Sequence, residues 1–251
     1  MNILASYKWI KEYLATDLSA DAFARLTTAA GNSVERMYHT AKAFDHMVVG
    51  LVKEIRVHPN ADKLRIAVTD IGKETVEIVC GGVNLIEGMR VVVGLPGANV
   101  RWHGEGELIQ LKKTTIRGVE STGMICAVDE IGFEVLSTGK QDIWDISTLT
   151  EAKPGTPIVE ALDLDDVIFA IEVTSNRPDC KSIIGQAREG GAVTQGVYTA
   201  PKIQHAVVTN STSFSLEVKE PELCPTYSAV LIDHVKVGPS PWWLQKKLIF
   251  A

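Results

Sequence analysis

The chain has little of what would place it outside the cell or in a membrane. Only four of its 251 residues are cysteine, Cys80, Cys126, Cys180 and Cys224. They lie far apart and never form a CxxC pair, which argues against a zinc ribbon, a dithiol redox motif or a disulfide scaffold. No apolar run approaches the roughly 18–20 residues of a membrane span; residues 89–95 fall far short. The N-terminus lacks a basic-then-apolar leader pattern, because Ser6, Lys8, Lys11 and Glu12 interrupt it. A soluble, unsecreted, cytoplasmic chain with no membrane contact is expected. Positive charge is also short: 25 Lys and Arg stand against 31 Asp and Glu, for a net charge of −6. That excludes a broadly basic nucleic-acid binder, but not a local cationic patch acting over a Debye length of roughly 8 Å. Aromatics make up only 6%, with no stripe of them, and no repeat or low-complexity tract is present.

What is present is a globular composition, 45% hydrophobic and 22% charged. It is enough for a real core in one large domain or two ordinary ones. The first 40 residues read as helical. Ser6 and Ser19 suit N-caps; Trp9, Ile10, Tyr13 and Leu14 share a face, as do Phe23, Leu26 and Ala30, and Gly31 suits a stop. From Met47 the pattern becomes short and β-branched. Strands are expected at 48–57, 64–71, 75–79, 90–94 and 108–116, separated by Gly, Pro and Asn turns. Five such strands suggest a small closed barrel of the OB type. Residues 153–157 mark a boundary, 167–173 a further strand, and Asp179 a cap for a helix over 180–189. Residues 190–210 read as linker, 214–218 and 227–237 as strands, and Ser240-Pro241 as a helix start.

Three blocks carry chemistry. The first, His58-Pro59-Asn60-Ala61-Asp62-Lys63-Leu64, is a tight turn leading into a strand. It would place Lys63 and Arg65 on one face. The second, Ile78-Val79-Cys80-Gly81-Gly82-Val83-Asn84, ends a strand on paired glycines. Nothing beside Cys80 would lower its pKa, so a nucleophilic role is not expected. The third, from Lys112 to Ala127, opens with the densest basic run in the chain and puts Lys113 and Arg117 at the same strand parity. Alone, the first reads equally as a well-made turn with solvated charges, and the third as an edge strand charged against aggregation. No P-loop, metal-ligand spacing or nucleophile elbow occurs.

Taken in order, the blocks resemble the OB-type tRNA-binding domain of tRNA-associated proteins. The flanks, Tyr7-Lys8-Trp9-Ile10-Lys11-Glu12-Tyr13-Leu14 and Thr174-Ser175-Asn176-Arg177-Pro178-Asp179-Cys180, narrow the resemblance. They are similar to the N-terminal region of the bacterial-type phenylalanyl-tRNA synthetase beta subunit, and so is the tail from Tyr227 to Pro241. The resemblance implies an α+β, mainly β chain. A five-stranded OB barrel (41–151) would be inserted in a small split α/β domain (1–40 with 152–195). The start of an editing module (200–251) would follow. It implies tRNA(Phe) and an alpha subunit as partners, in a heterotetramer of two alpha and two beta subunits. ATP and Mg2+ would serve the whole enzyme, and this portion would hold no cofactor, metal or catalytic residue. OB barrels grip looped or single-stranded RNA with a basic groove and stacking platforms. The candidates here are Lys63, Arg65, Arg101, Trp102, Lys112, Lys113 and Arg117. An assembly module with little RNA contact is the alternative. Lys181, Gln186 and Gly190-Gly191 depart from the family pattern, which predicts a short or loosely packed helix; a solubility change and natural drift both remain open as causes.

Overall fold

Two antiparallel sheets organise the computed structural model, which describes residues 2–137, 141–203 and 214–250. Strand β1 (Asn2–Ser6) leads into a short helix, α1 (Tyr7–Lys11), then β2 (Leu14–Ala15), α2 (Ala20–Ala29) and β3 (Ser33–His39). Ser6 Oγ accepts the Trp9 N–H at 2.9 Å, and Ser19 Oγ accepts the Ala22 N–H at 3.2 Å, so both serine caps form as expected. The two strands β1 and β3 are a correction to the all-helical reading. Their partner is β13 (Val167–Glu172), which lies between them in the order β1-β13-β3. Ile3 faces Ile171, and Met37 faces Phe169. A pairing across about 130–170 residues leaves no local signature. α1 stops at Lys11, and Leu14 is buried from a strand instead of a helix. Tyr7, Ile10, Phe23, Phe169 and Ile171 form the core between sheet and helices, with Phe23 and Phe169 stacked at 5.8 Å.

The second sheet holds β4 (Met47–Val57), β5 (Arg65–Asp70), β6 (Thr75–Cys80), β7 (Arg90–Gly94) and, after three intervening hairpin and turn segments, β12 (Met124–Ile125). Its order is β12-β7-β4-β5-β6. The four longer strands match the β-branched runs read from sequence. The fifth does not. Residues 108–116 split into β9 (Leu108–Gln110), which pairs with β8 (Asn99–Arg101), and β10 (Thr114–Ile116), which pairs with β11 (Val119–Ser121). Leu111 breaks the run by turning onto the core, where its N–H bonds Ala98 and its carbonyl accepts from Gly97. The sheet then nearly closes into an OB-type barrel. The Thr122 N–H donates to the Glu77 carbonyl, and the Val79 N–H donates to Ser121 Oγ, both at 3.0 Å. Val52, Ala67, Ile78, Val91, Val93 and Ile125 fill the barrel. The outer face of β4 and β7, at Val49 and Val92, meets a second apolar layer around Phe133, Trp144, Ile146 and Leu164.

After a helical turn at α3 (Ile158–Ala161) and strand β13, the chain reaches α4 (Ile183–Thr194). The cap is Ser182, whose Oγ accepts the Gly185 N–H at 3.0 Å, and not Asp179. Asp179 instead receives the Arg177 guanidinium at 3.0 Å, and Arg177 also holds Glu189 at 2.7 Å. The helix continues through the glycines expected to end it, and β14 (Val197–Tyr198) pairs with β2, so residues 190–198 are not linker. Gly190 is required by close approach: a Cβ there would lie 2.6 Å from Phe23 and 2.9 Å from Leu14. Gln186 is buried, accepts from Asn32 Nδ2 and donates to the Cys180 carbonyl, both at 2.6 Å. The helix is thus long and tightly packed, against expectation. Gln186→Leu is expected to cost about 1–3 kcal/mol, because it leaves the Asn32 amide and the Cys180 carbonyl buried without partners. Urea unfolding midpoints would measure it.

Arg177 pulls the Asp179 carboxyl down to about 2. The pair therefore stabilises the fold above the ordinary carboxylate pKa near 3.8, and its contribution fades as pH falls towards 2. Asp179→Asn is expected to flatten the acid limb of a melting-temperature profile below pH 4. An unchanged limb would mean that the pair adds nothing.

The segments 214–218 and 227–237 form no strand; among the described residues they find no ladder partner, and Val230, Ile232 and Val235 stand exposed. α5 (Trp242–Ile249) follows, with Pro241 and not Ser240 at the cap position and no side-chain cap bond. Trp242 donates its indole N–H to the Leu162 carbonyl at 3.1 Å and packs with Phe250 on Phe133, so the helix buries one side against the outer barrel layer.

Candidate nucleic-acid interface

The first block folds as a turn built around a buried histidine. His58 Nδ1 accepts the Asn60 N–H at 3.1 Å, which leaves the proton on Nε2; that nitrogen meets the Ile116 carbonyl at 3.1 Å. Asn60 Nδ2 donates to the Arg117 carbonyl at 2.9 Å. The loop after β4 is thereby stitched to the β10–β11 hairpin. That hairpin turns on two residues, Arg117 (φ 48°) and Gly118 (φ 89°), both left-handed. This is the geometry that favours right-twisted hairpins, and glycine meets it without strain. The sequence motif therefore joins two loops that are distant in the chain, and Lys63, Arg65 and Arg117 come to one end of the barrel.

The strand parities expected for these residues do not hold. Lys63 lies in the turn and only Arg65 begins β5; Lys113 precedes β10 and Arg117 sits at the hairpin tip. Arg65 folds back, its Nη1 donating to the carbonyls of Asp62 (2.9 Å) and Leu64 (3.0 Å). Lys113 pairs with Glu120 at 2.7 Å. Lys63, Lys112 and Arg117 are exposed and carry no ion pair among the described residues. These three are the cations that a phosphate can reach without breaking an existing pair.

Arg101 and Trp102 belong to a separate group at the tip of the β8–β9 hairpin. Arg101 pairs with Glu134 at 3.0 Å, and Trp102 stands half-exposed with its ring edge-on to His103 at 5.2 Å. Neither bonds to the stitched loops. Of the seven residues singled out from sequence, Lys63, Arg65 and Arg117 lie at the stitched loops, Lys112 and Lys113 precede β10 at the base of its hairpin, and Arg101 and Trp102 lie on another arm. Sequence reasoning also missed His58 and Asn60 as positioning residues, although the His-Pro-Asn spacing was the available signal.

The second block is structural. Asn84 exchanges two hydrogen bonds with the backbone of Ile143, at 2.8 and 2.9 Å. Burial pushes the Cys80 thiol up, as it does Cys126 and, to about 11, Cys180. None is poised as a nucleophile. Among the described residues no group of three His, Cys, Asp or Glu is placed to hold a metal ion, and no helix is long and apolar enough to cross a membrane.

Residues 47–157 match the family described as putative tRNA binding domain. The phenylalanine–tRNA ligase beta subunit of Geobacter metallireducens is 38% identical over 98% of this chain. Those of Vibrio cholerae and Staphylococcus epidermidis are each 37% identical, over 97% and 99%. The chain spans about 30% of the length of these curated relatives. Among solved structures, the MetRS related protein from Pyrococcus horikoshii aligns at 25% identity over 44% of this chain and 85% of that one. Its TM-score of 0.30 is too low to add to the argument.

Proposed function

We propose that this chain, a relative of the phenylalanine–tRNA ligase beta subunit along almost its whole length, is the tRNA-binding and framework portion of such a subunit. The barrel end formed by the 58–65 loop and the β10–β11 hairpin is its RNA contact. Lys63, Lys112 and Arg117 meet phosphates directly, with Arg65 and Lys113 beside them. The observation that carries this reading is the stitching by His58 and Asn60, which holds the loop of Lys63 against the hairpin tip of Arg117, with Lys112 at the base of the same hairpin. A preordered ledge loses little entropy on binding, so each charge–phosphate contact keeps most of its worth. The partner in this reading is tRNA(Phe), and the alpha subunit completes a heterotetramer of two alpha and two beta chains in the cytoplasm. Aminoacylation with ATP and Mg2+ belongs to the rest of that assembly; this portion contributes grip and placement, not reacting groups. The same reading divides the chain into a split domain (1–40 with 152–195), the barrel (41–151) and the start of an editing module (200–251).

A charge-matched pair of variants tests it. The triple change Lys63→Ala, Lys112→Ala and Arg117→Ala is expected to weaken tRNA binding at least tenfold at low salt, with the melting temperature unchanged. Lys42→Ala, Lys73→Ala and Lys153→Ala remove the same charge elsewhere and are expected to weaken it far less. Equal losses would reduce the ledge to a share of the overall field. The second reading, an assembly module, is favoured by one observation: Arg56, Arg101 and Lys113 are already ion-paired within the chain.

A further inference from the structure

The β8–β9 arm does not suit a phosphate chain, and its surroundings show what it does suit. Its tip carries Glu105 and Glu107, both exposed. It lies against the turn that follows the barrel, with Gly104 at Asp129 and Arg101 on Glu134. Glu105 and Glu107 thus lie on the arm, Asp129 lies against it beside Gly104, and Glu134 holds Arg101, while His103 is the other basic side chain of the tip. Apolar surface is exposed in the same place. Trp102, Leu108 and Ile109 on the arm, Val135 beside Glu134, and Leu248 on α5 are each at least half exposed. Val135 and Leu248 line a groove of about 440 Å³ between the 134–136 turn and α5, with Glu134 at its rim. Leu108 pairs with Arg101 in the hairpin, and Arg101 reaches Glu134, so arm and groove are continuous. The lysines of α5 point elsewhere: Lys246 bonds Asp163 and Lys247 bonds Glu12.

We propose that this arm and groove form a docking surface for a basic amphipathic helix of a protein partner. An apolar stripe at helical spacing fills the groove, and flanking lysines or arginines meet Glu105, Glu107, Asp129 and Glu134. Charge complementarity selects this occupant over RNA, whose phosphates the same carboxylates repel. Trp102 is then an anchor for protein and not a stacking platform for a base.

The test uses the full chain and two labelled 18-residue helical peptides, one of leucine and lysine and one of leucine and glutamate, read by fluorescence anisotropy. The lysine peptide is expected to bind and the glutamate peptide not. Val135→Ser with Leu248→Ser, which leaves charge unchanged, is expected to weaken binding at least tenfold, and so is Glu105→Gln with Glu107→Gln. The remote pair Asp17→Asn with Glu35→Gln is expected to leave it unaltered, and tRNA affinity is expected to be the same in all three variants and in Trp102→Ala. The proposal is overturned if the lysine peptide does not bind, if the serine pair has no effect, or if the remote pair weakens binding equally. A fall in tRNA affinity with Trp102→Ala also overturns it and returns the arm to RNA. Loss of the tRNA ledge would leave these peptide results untouched.

Discussion

Phe133→Ala is expected to lower stability by about 3–5 kcal/mol, a value at the top of the range for a single core substitution. Phe133 is almost fully buried, and four rings surround it: Phe44 at 5.6 Å, Trp144 at 5.0 Å, Trp242 at 6.0 Å and Phe250 at 6.3 Å. The cavity left behind is walled by aromatic groups from three separate segments, which cannot all move inward, so little of the cost is recovered by relaxation. The same substitution removes the ring on which α5 rests, and tryptophan fluorescence from Trp242 should report its release before global unfolding. Urea denaturation checks the first point and protease accessibility of residues 242–250 the second. A loss under 1 kcal/mol would mean that the outer layer is not a working core.

The second large effect is electrostatic and lies at the barrel end. If Lys63, Lys112 and Arg117 each neutralise one phosphate, the logarithm of the tRNA binding constant should fall with the logarithm of salt concentration at a slope of about −2 to −3. The net charge of −6 sets a repulsive background that no local ledge removes. Affinity should therefore be modest and strongly salt-dependent.

Much of this was legible in the sequence because the barrel is built locally. Strands β4, β5, β6 and β7 are β-branched runs closed by turn residues, and period and punctuation suffice to find them. What was not legible depends on distant partners. β1 and β3 are ordinary short segments until β13 lies between them. The run 108–116 looks like one strand because nothing in it announces that Leu111 turns inward. Residues 227–237 have strand composition but no strand to pair with. Local competition explains another error: Asp179 has a capping side chain, but Arg177 two residues earlier takes it, and Ser182 caps instead. The buried pair Asn32 and Gln186 reversed the expectation of a loose helix, since each polar group supplies the partner that the other needs. At the candidate interface the cations were found from their places in the ordered blocks and from the family resemblance. Which of them are free, and which Glu120 and Glu134 already hold, is a property of the folded surface.

In the proposed function three unpaired cations act together on the RNA, and a salt titration counts them. tRNA binding should be measured from 50 to 300 mM salt for the native chain and for the Lys63→Ala, Lys112→Ala, Arg117→Ala variant. A native slope near −2 to −3 that collapses towards zero in the variant is the predicted result. An equal slope in both proteins would contradict it and place the RNA contact on another surface.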